Sequence, residues 1–300
     1  MELPAFQNTA QYQFIESALL STFGREPEVR DFQFLYGGNF SLAARVVTSD
    51  GQFFIKWNQG HPEGDHEGMF ESEARSLQLL RAAGELHIPE VFGYGQKPDG
   101  SFLVMEFVAS SQQKPDYWTD FGQRLAALHR HTAPRHGLDF DNYLGALPQK
   151  NEWMDDGVRF FVENRLHVQA GRALYEGKIK TDLYERLQRL GEKLPDLLPH
   201  EAPALLHGDL WSGNVMTGPD GLVSLVDPSS YYGLREAELA FTTMFGGFDP
   251  SFYASYYEAF PVENGFTDRI PLYNLYPLLV HVNLFGGGYV TAVERIVRRF

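Results

Sequence analysis

The chain reads as an α+β fold of two lobes: a small antiparallel sheet of five strands with one main helix, then a larger, mostly helical part. Three observations predict it. Short β-rich runs separated by turn residues fill positions 29–108, helical periodicity dominates after Pro115, and the Ser/Gln-rich stretch Ala109–Pro115 separates the two. The boundary therefore falls between Val108 and Ala109, giving parts of residues 1–108 and 109–300. With 43 % hydrophobic residues in 300, such a chain can bury a substantial core.

Each element has its own warrant. Between Thr9, placed as an N-cap, and Phe23, the residues Phe14, Ala18 and Leu19 recur at helical spacing and predict an amphipathic first helix. Val29–Leu35, Leu42–Val47 and Phe53–Trp57 read as strands of an antiparallel meander, because Gly37-Gly38-Asn39 and Ser49-Asp50-Gly51 supply turn chemistry between them. Asp65–Ala83 reads as a helix with Phe70, Ala74, Leu77 and Leu80 on one stripe. At about 100° per residue, Glu73 falls inside that stripe while Glu71 points roughly 120° away, so one carboxylate faces the core. Glu90–Tyr94 and Phe102–Val108 are strands around the turn Lys97-Pro98-Asp99-Gly100. Helices follow at Phe121–Leu128, Met154–Tyr175 and Thr181–Leu190. Asn214–Met216 and Leu222–Val226 flank the hairpin turn Gly218-Pro219-Asp220-Gly221, and from Arg235 the chain is helical and aromatic.

Composition excludes several functions. The formal charge of −14, from 39 acidic against 25 basic residues, repels phosphate backbones and anionic membranes, so neither nucleic acid nor membrane is an expected partner. A nucleotide would have to be held by local donors and a metal ion that override that field. Without cysteine there are no disulfides, thiolate catalysis or zinc–thiolate sites. The N-terminal MELPAFQNTAQYQF lacks the basic and apolar parts of an export signal, and no run of about 18 apolar residues occurs. A cytoplasmic monomer is expected.

The chemistry concentrates in LLHGDLWSGNV, Leu205–Val215. Asp209 and Asn214 flank a tight loop, and the following hairpin returns the chain so that Asp227, at a strand end, lies beside Asn214. Two oxygen donors, Asn214 and Asp227, suit Mg²⁺, which keeps several waters and shares its shell with substrate phosphates. Asp209 stays free to accept a proton from an attacking hydroxyl. H-x-D-x-x-x-x-N, then an acid after a strand, is the layout of kinase-type phosphoryl transfer. Lys56, in FFIKWN, is read as a phosphate contact, because the core-facing Glu73 would be costly to bury unpaired. Gly37-Gly38-Asn39 lies one strand earlier, where a phosphate-covering loop belongs, and its glycines let main-chain N–H groups approach closely. Glu106, Phe107 and Val108 end the last small-lobe strand, where the Glu106 carbonyl and Val108 N–H offer an adenine one acceptor and one donor. ATP and Mg²⁺ are the expected cofactors.

Two decoys carry less, and one common catalytic motif is missing. GRALYEGKI, Gly171–Ile179, imitates a phosphate loop but lacks its glycine spacing and hydroxyl, and reads as a helix end. His61, Asp65 and His66 sit in a Gly- and Pro-containing loop without metal-site spacing, and no G-x-S-x-G occurs.

HGDLWSGN (His207–Asn214), DPSSYYGLREAELA (Asp227–Ala240), FGGF (Phe245–Phe248), DNYLGALPQKN (Asp141–Asn151) and LYPLLVHVNLFGGGY (Leu275–Tyr289) together resemble the fructosamine kinase (ketosamine kinase) family, relatives of the aminoglycoside phosphotransferases in the protein-kinase-like superfamily. The resemblance implies a protein-kinase-like fold and ATP-dependent phosphorylation of the sugar 3-hydroxyl of fructosamine and ribulosamine adducts, after which the sugar decomposes and frees the amine. Under it, Asp209 corresponds to the base, Asn214 and Asp227 to the metal ligands, Lys56 to the phosphate contact and Glu106–Val108 to the nucleotide hinge. The acceptor is expected in the larger lobe against Trp211, Tyr232, His281 and Tyr289, whose faces can stack on a sugar ring. Two departures stand out: Asn39 lies near the place where some eukaryotic members carry a cysteine, so thiol regulation does not carry over, and Glu238 stands where aspartate is more usual. A phosphotransferase of aminoglycoside or choline kinase type and a non-catalytic nucleotide-binding scaffold are the rival readings. Intact Lys56, Glu73, Asp209, Asn214 and Asp227 speak against the scaffold, which needs no proton acceptor.

Overall fold

The computed structural model describes residues 10–35, 41–59 and 68–300. Thr9, Gly37, Gly38, Asn39, His61, Asp65 and His66 lie outside the described residues.

Strands β1 (Val29–Leu35), β2 (Leu42–Thr48), β3 (Gly51–Gln59), β4 (Val91–Lys97) and β5 (Gly100–Glu106) form one antiparallel sheet in the order β1-β2-β3-β5-β4. The first three are the expected meander. After β3 the chain crosses through α2 (Met69–Ala83) to the far edge, and the turn after β4 folds β5 back against β3. Because side chains alternate along a strand, each face has its own fate. Ile55 and Trp57 of β3, with Phe102 and Val104 of β5, close a small core against Phe14, Ile15 and Leu19 of α1 (Ala10–Phe23). Leu103 and Met105 face the other way, into a larger core that joins Phe70, Leu77 and Leu80 of α2 to the helical part of the chain. Lys56 alternates with Ile55 and Trp57, which puts its ammonium on the α2 side.

The larger lobe opens with α3 (Tyr117–Leu128) and a hairpin of β6 (Asn142–Leu144) and β7 (Leu147–Gln149). Next, α4 (Gly157–Phe161) runs through a π-helical turn, Val162–His167, into α5 (Val168–Tyr175). The start falls three residues after the expected Met154 because Asp156 caps the helix, accepting from the Val158 and Arg159 N–H groups. Helix α6 (Thr181–Leu197) outruns its expected end at Leu190: buried Leu187, Leu190 and Leu194 continue its apolar stripe as far as Pro195. The phosphate-loop imitation is indeed a helix end, with a left-handed turn at Gly177 (φ 69°).

Strands β8 (Ala204–Leu206), β9 (Val215–Thr217), β10 (Val223–Leu225) and β11 (Tyr231–Gly233) precede helices α7 (Arg235–Phe241), α8 (Pro250–Ala259), α9 (Phe266–Tyr273), α10 (Leu275–Phe285) and α11 (Gly288–Arg299). β9 and β10 are the expected hairpin, against which the crossover packs through Ser111, whose hydroxyl donates to the Gly218 carbonyl at 2.7 Å. The pairing of β8 with β11, Leu206 opposite Tyr231, is new. Three-residue strands are too short to show periodicity, yet this pair brings the segment before His207 beside the segment after Asp227. Among the described residues, no helix is long and apolar enough to cross a membrane.

Candidate active site

The loop after β8 is held by its own backbone. Gly208 sits at φ 86°, and a Cβ there would lie 2.0 Å from the Ser229 carbonyl oxygen, so only glycine permits this approach. The fully buried His207 accepts the Asp209 N–H at Nδ1 (3.3 Å) and donates from Nε2 to the Val226 carbonyl (2.9 Å). Those bonds require a neutral ring protonated on Nε2, and burial lowers its pKa accordingly. Glu238 on α7 accepts the N–H groups of His207 (3.0 Å) and Gly208 (3.1 Å), one on each carboxylate oxygen. The departure noted in the sequence is thus a prop under the loop.

Asp209 projects from this support. Its Oδ2 accepts the Asn214 side-chain amide at 2.9 Å, and the same nitrogen donates to the Asp209 carbonyl at 2.8 Å. Asn214 thereby spends its nitrogen inside the loop and keeps its oxygen for another partner. Burial pushes the Asp209 carboxyl up to about 7; the Asn214 bond opposes this, while the charges of Asp227 and Glu238 add to it.

Lys56 donates to Glu73 Oε1 at 2.9 Å and also contacts Asp227 Oδ1. Three groups from β3, α2 and the turn after β10 thus meet at one ammonium. Glu73 faces the cleft and Glu71 is exposed, as the helical stepping predicts. Burial works to lower the Lys56 pKa, but Asp227 and Glu73 outweigh it and hold the ammonium above the usual lysine range. Burial raises the Glu73 carboxyl, with Lys56 pulling the other way. Asp227 stays the most open of the three, its side chain 45 % exposed against 10 % for Lys56 and 13 % for Glu73.

Among the described residues, the non-glycine residues in the left-handed region are Asp227 and Phe245, both at φ 55°. For phenylalanine that conformation costs roughly 1–2 kcal/mol, and such strain gathers at functional sites. The donor set fits a magnesium ion brought with phosphates: one open carboxylate, Asp227, and the free oxygen of Asn214. No cluster of three or more His, Asp or Glu side chains able to form a protein-only metal cage occurs among the described residues.

The remaining expected residues divide. At the end of β5, the Glu106 N–H donates to the Glu90 carbonyl at 2.8 Å, and its carboxylate lies 3.2 Å from His87 Nε2. Phe107 packs under the Arg45 guanidinium at 5.3 Å, and Val108 is buried. The structure gathers Trp211, His281 and Tyr289 through a ring that spacing alone had not singled out: Phe245 lies 5.6 Å from Trp211 and 5.1 Å from His281, which lies 4.9 Å from Tyr289. Phe285, 5.6 Å from His281, completes the wall. Phe245 and Phe285 stood inside the FGGF and C-terminal motifs, the one signal available, since no local periodicity links such distant positions. Tyr232 is not in this cluster and stacks instead on Trp153 at 6.2 Å.

Comparison with known proteins agrees with the geometry. The fructosamine kinase family model matches residues 11–300. The probable ketoamine kinase of Synechocystis sp. is 34 % identical over 291 residues, covering 97 % of each chain. A crystal structure of a candidate fructosamine-3-kinase from Haemophilus somnus 129PT superposes with a TM-score of 0.83 at 30 % identity, covering 95 % of this chain and 96 % of that one. A thermostable mutant of the aminoglycoside phosphotransferase APH(4)-Ia, solved with AMP-PNP and hygromycin B, shares the protein-kinase-like fold at a TM-score of 0.65 and 16 % identity, covering 95 % and 98 %. The chain belongs to the fructosamine kinase family.

Proposed function

We propose that this chain transfers the γ-phosphoryl group of ATP to the sugar 3-hydroxyl of ketosamines of fructosamine or ribulosamine type, a step that leads to deglycation. The observation that carries the reading is the Lys56 ammonium bridging Glu73 and Asp227, with Asp209 fixed nearby by Asn214. The names of the relatives, a ketoamine kinase and a fructosamine-3-kinase, support the acceptor class.

The chemistry follows from these groups. A loose phosphoryl-transfer transition state asks for alignment and charge neutralisation more than for a strong base. Lys56, oriented by Glu73, binds phosphate oxygens and offsets their charge. Asp209 accepts a hydrogen bond from the sugar hydroxyl and takes its proton as the new P–O bond forms and ADP leaves; a carboxyl raised to about 7 is basic enough to hold it. Asn214 and Asp227 would hold Mg²⁺, which supplies charge neutralisation to the phosphates when bound. The Glu106 carbonyl and Val108 N–H pair with the adenine, and the glycines of Gly37-Gly38-Asn39 cover the phosphates. Trp211, Phe245, His281 and Tyr289 wall the acceptor side. We place the lobe boundary between Val108 and Ala109 and read the protein as a cytoplasmic monomer.

ADP release with magnesium, measured for fructosamine and ribulosamine acceptors against an aminoglycoside panel, tests the acceptor. Turnover confined to aminoglycosides would overturn it. Asp209→Ala should abolish turnover while leaving ATP binding intact, and retained turnover would remove Asp209 from its role.

A further inference from the structure

Beneath the site, a chain of side-chain hydrogen bonds begins at a buried cation. Arg165, on the π-helical turn Val162–His167, is 0 % exposed and has no carboxylate at ion-pair distance among the described residues. Its guanidinium lies 4.1 Å from the Tyr231 ring centroid and 4.6 Å from that of Phe160. It donates to the Lys150 carbonyl at 2.5 Å and to Asn151 Oδ1 at 2.6 Å. A guanidinium can only donate, so it fixes which way each following amide points. Asn151 presents its oxygen to Arg165 and its nitrogen to Asn142 Oδ1 at 3.0 Å. Asn142 must then turn its own nitrogen outward, where it donates to the Ser230 carbonyl at 2.8 Å. Gln149 runs alongside, donating to Asn142 Oδ1 at 2.8 Å and to the Ser229 carbonyl at 3.2 Å, while its oxygen accepts the Tyr276 hydroxyl at 2.5 Å. Asn142, Gln149 and Asn151 are all buried.

The chain of donors ends on the backbone two and three residues after Asp227, whose own φ of 55° is strained. A strained residue keeps its conformation only where its surroundings over-determine it. Buried charge without an acid partner is a poor source of stability, and the best-attested return on such a group is a single specified arrangement. π-Helical turns likewise recur at functional sites.

We infer that Arg165, Asn151, Asn142 and Gln149 are positioning residues that hold the Ser229–Ser230 segment and, through it, the Asp227 carboxylate in its working orientation. This is the role of the DNYLGALPQKN stretch, which the transfer chemistry leaves unused. The inference rests on Asp227 as a metal ligand.

Arg165→Met removes the origin of the chain, and Asn142→Leu removes its last donor at nearly constant shape. Amide hydrogen exchange of residues 227–233, followed in the nucleotide-free protein, should accelerate by about tenfold or more in both variants. The magnesium concentration for half-maximal ADP release should rise by about tenfold, as for other groups that orient a metal ligand. The KM for the ketosamine should stay within about twofold, because the acceptor wall is untouched. Exchange and magnesium requirement both unchanged in either folded variant would overturn the inference. Should Arg165→Met fail to fold, Asn142→Leu decides by the same readouts. Asp227→Asn is the control: an unchanged magnesium requirement there would refute the metal reading, while the exchange rates still judge whether the amide chain holds this segment.

Discussion

The floor and the wall of the site are built from opposite kinds of contact. On the floor, Asp209, Asn214, His207 and Glu238 are tied by hydrogen bonds of 2.8 to 3.3 Å that each prescribe a direction. In the wall, Trp211, Phe245, His281, Phe285 and Tyr289 meet mainly ring against ring, His281 being also tied through Nδ1 to the Pro277 carbonyl at 2.7 Å, and Phe245 and Phe285 remain 44 % and 50 % exposed. Directional bonds admit one geometry, which phosphoryl transfer needs. Ring contacts tolerate several poses, which suits an acceptor whose amine substituent varies from one adduct to another. The floor should therefore be brittle toward substitution and the wall forgiving.

Four substitutions, in falling order of effect, can break or sharpen that contrast. Lys56→Met on the floor should lower kcat by about 10²–10³, the usual consequence of deleting one donor to developing charge; steady-state kinetics at saturating acceptor would reveal it, and a loss below tenfold would contradict the role. Glu238→Ala leaves the His207 and Gly208 N–H groups without their acceptor, at roughly 1–3 kcal/mol each, and should appear as a lower denaturation midpoint together with reduced kcat. Phe245→Ala in the wall should raise the acceptor KM by about two- to tenfold, from the loss of about 0.5–1.5 kcal/mol of ring contact, with kcat nearly unchanged. A large kcat loss instead would place Phe245 on the floor. Phe245→Gly should be more stable than Phe245→Ala by about 1 kcal/mol, since glycine accepts the left-handed φ that alanine resists.

A pH series probes the floor from another side. The folded-state pKa of His207 lies below its ordinary value because burial disfavours the charged ring. Its stability contribution is therefore present above about pH 6.5, where the unfolded histidine is also neutral, and is lost as pH falls and the unfolded chain takes up the proton first. The stability of the wild type relative to His207→Gln, measured by denaturant titration from pH 8 to pH 5.5, should decline over that window. A difference independent of pH would mean that burial leaves the ring's proton affinity the same folded as unfolded, and a rise on acidification that the buried ring holds its charge.

Much of the floor was legible because it is local. His207, Asp209 and Asn214 lie within eight positions, the hairpin after them is spelled in turn residues, and helical stepping distinguishes Glu73 from Glu71. The wall was partly legible: Trp211, His281 and Tyr289 fall in one aromatic cluster, Tyr232 stacks on Trp153 outside it, and Phe245, though inside the FGGF motif, shows its place between Trp211 and His281 only in the folded chain. The β8–β11 pair and the Arg165 amide chain left no periodic signature, since three-residue strands and single buried amides have none.

The sequence by itself determined most element types and the five-stranded sheet, and it singled out the acids, amide and lysine proposed for phosphoryl transfer, because periodicity, turn composition and short motif spacing are properties of neighbouring residues. Tertiary structure alone decided that Lys56 meets Asp227 across the cleft, that Glu238 props the loop, and that a buried guanidinium heads a hydrogen-bonded run of three amide side chains ending two and three residues after Asp227. Those outcomes depend on hydrogen-bond direction and on burial between distant segments, and neither exists until the chain has closed on itself.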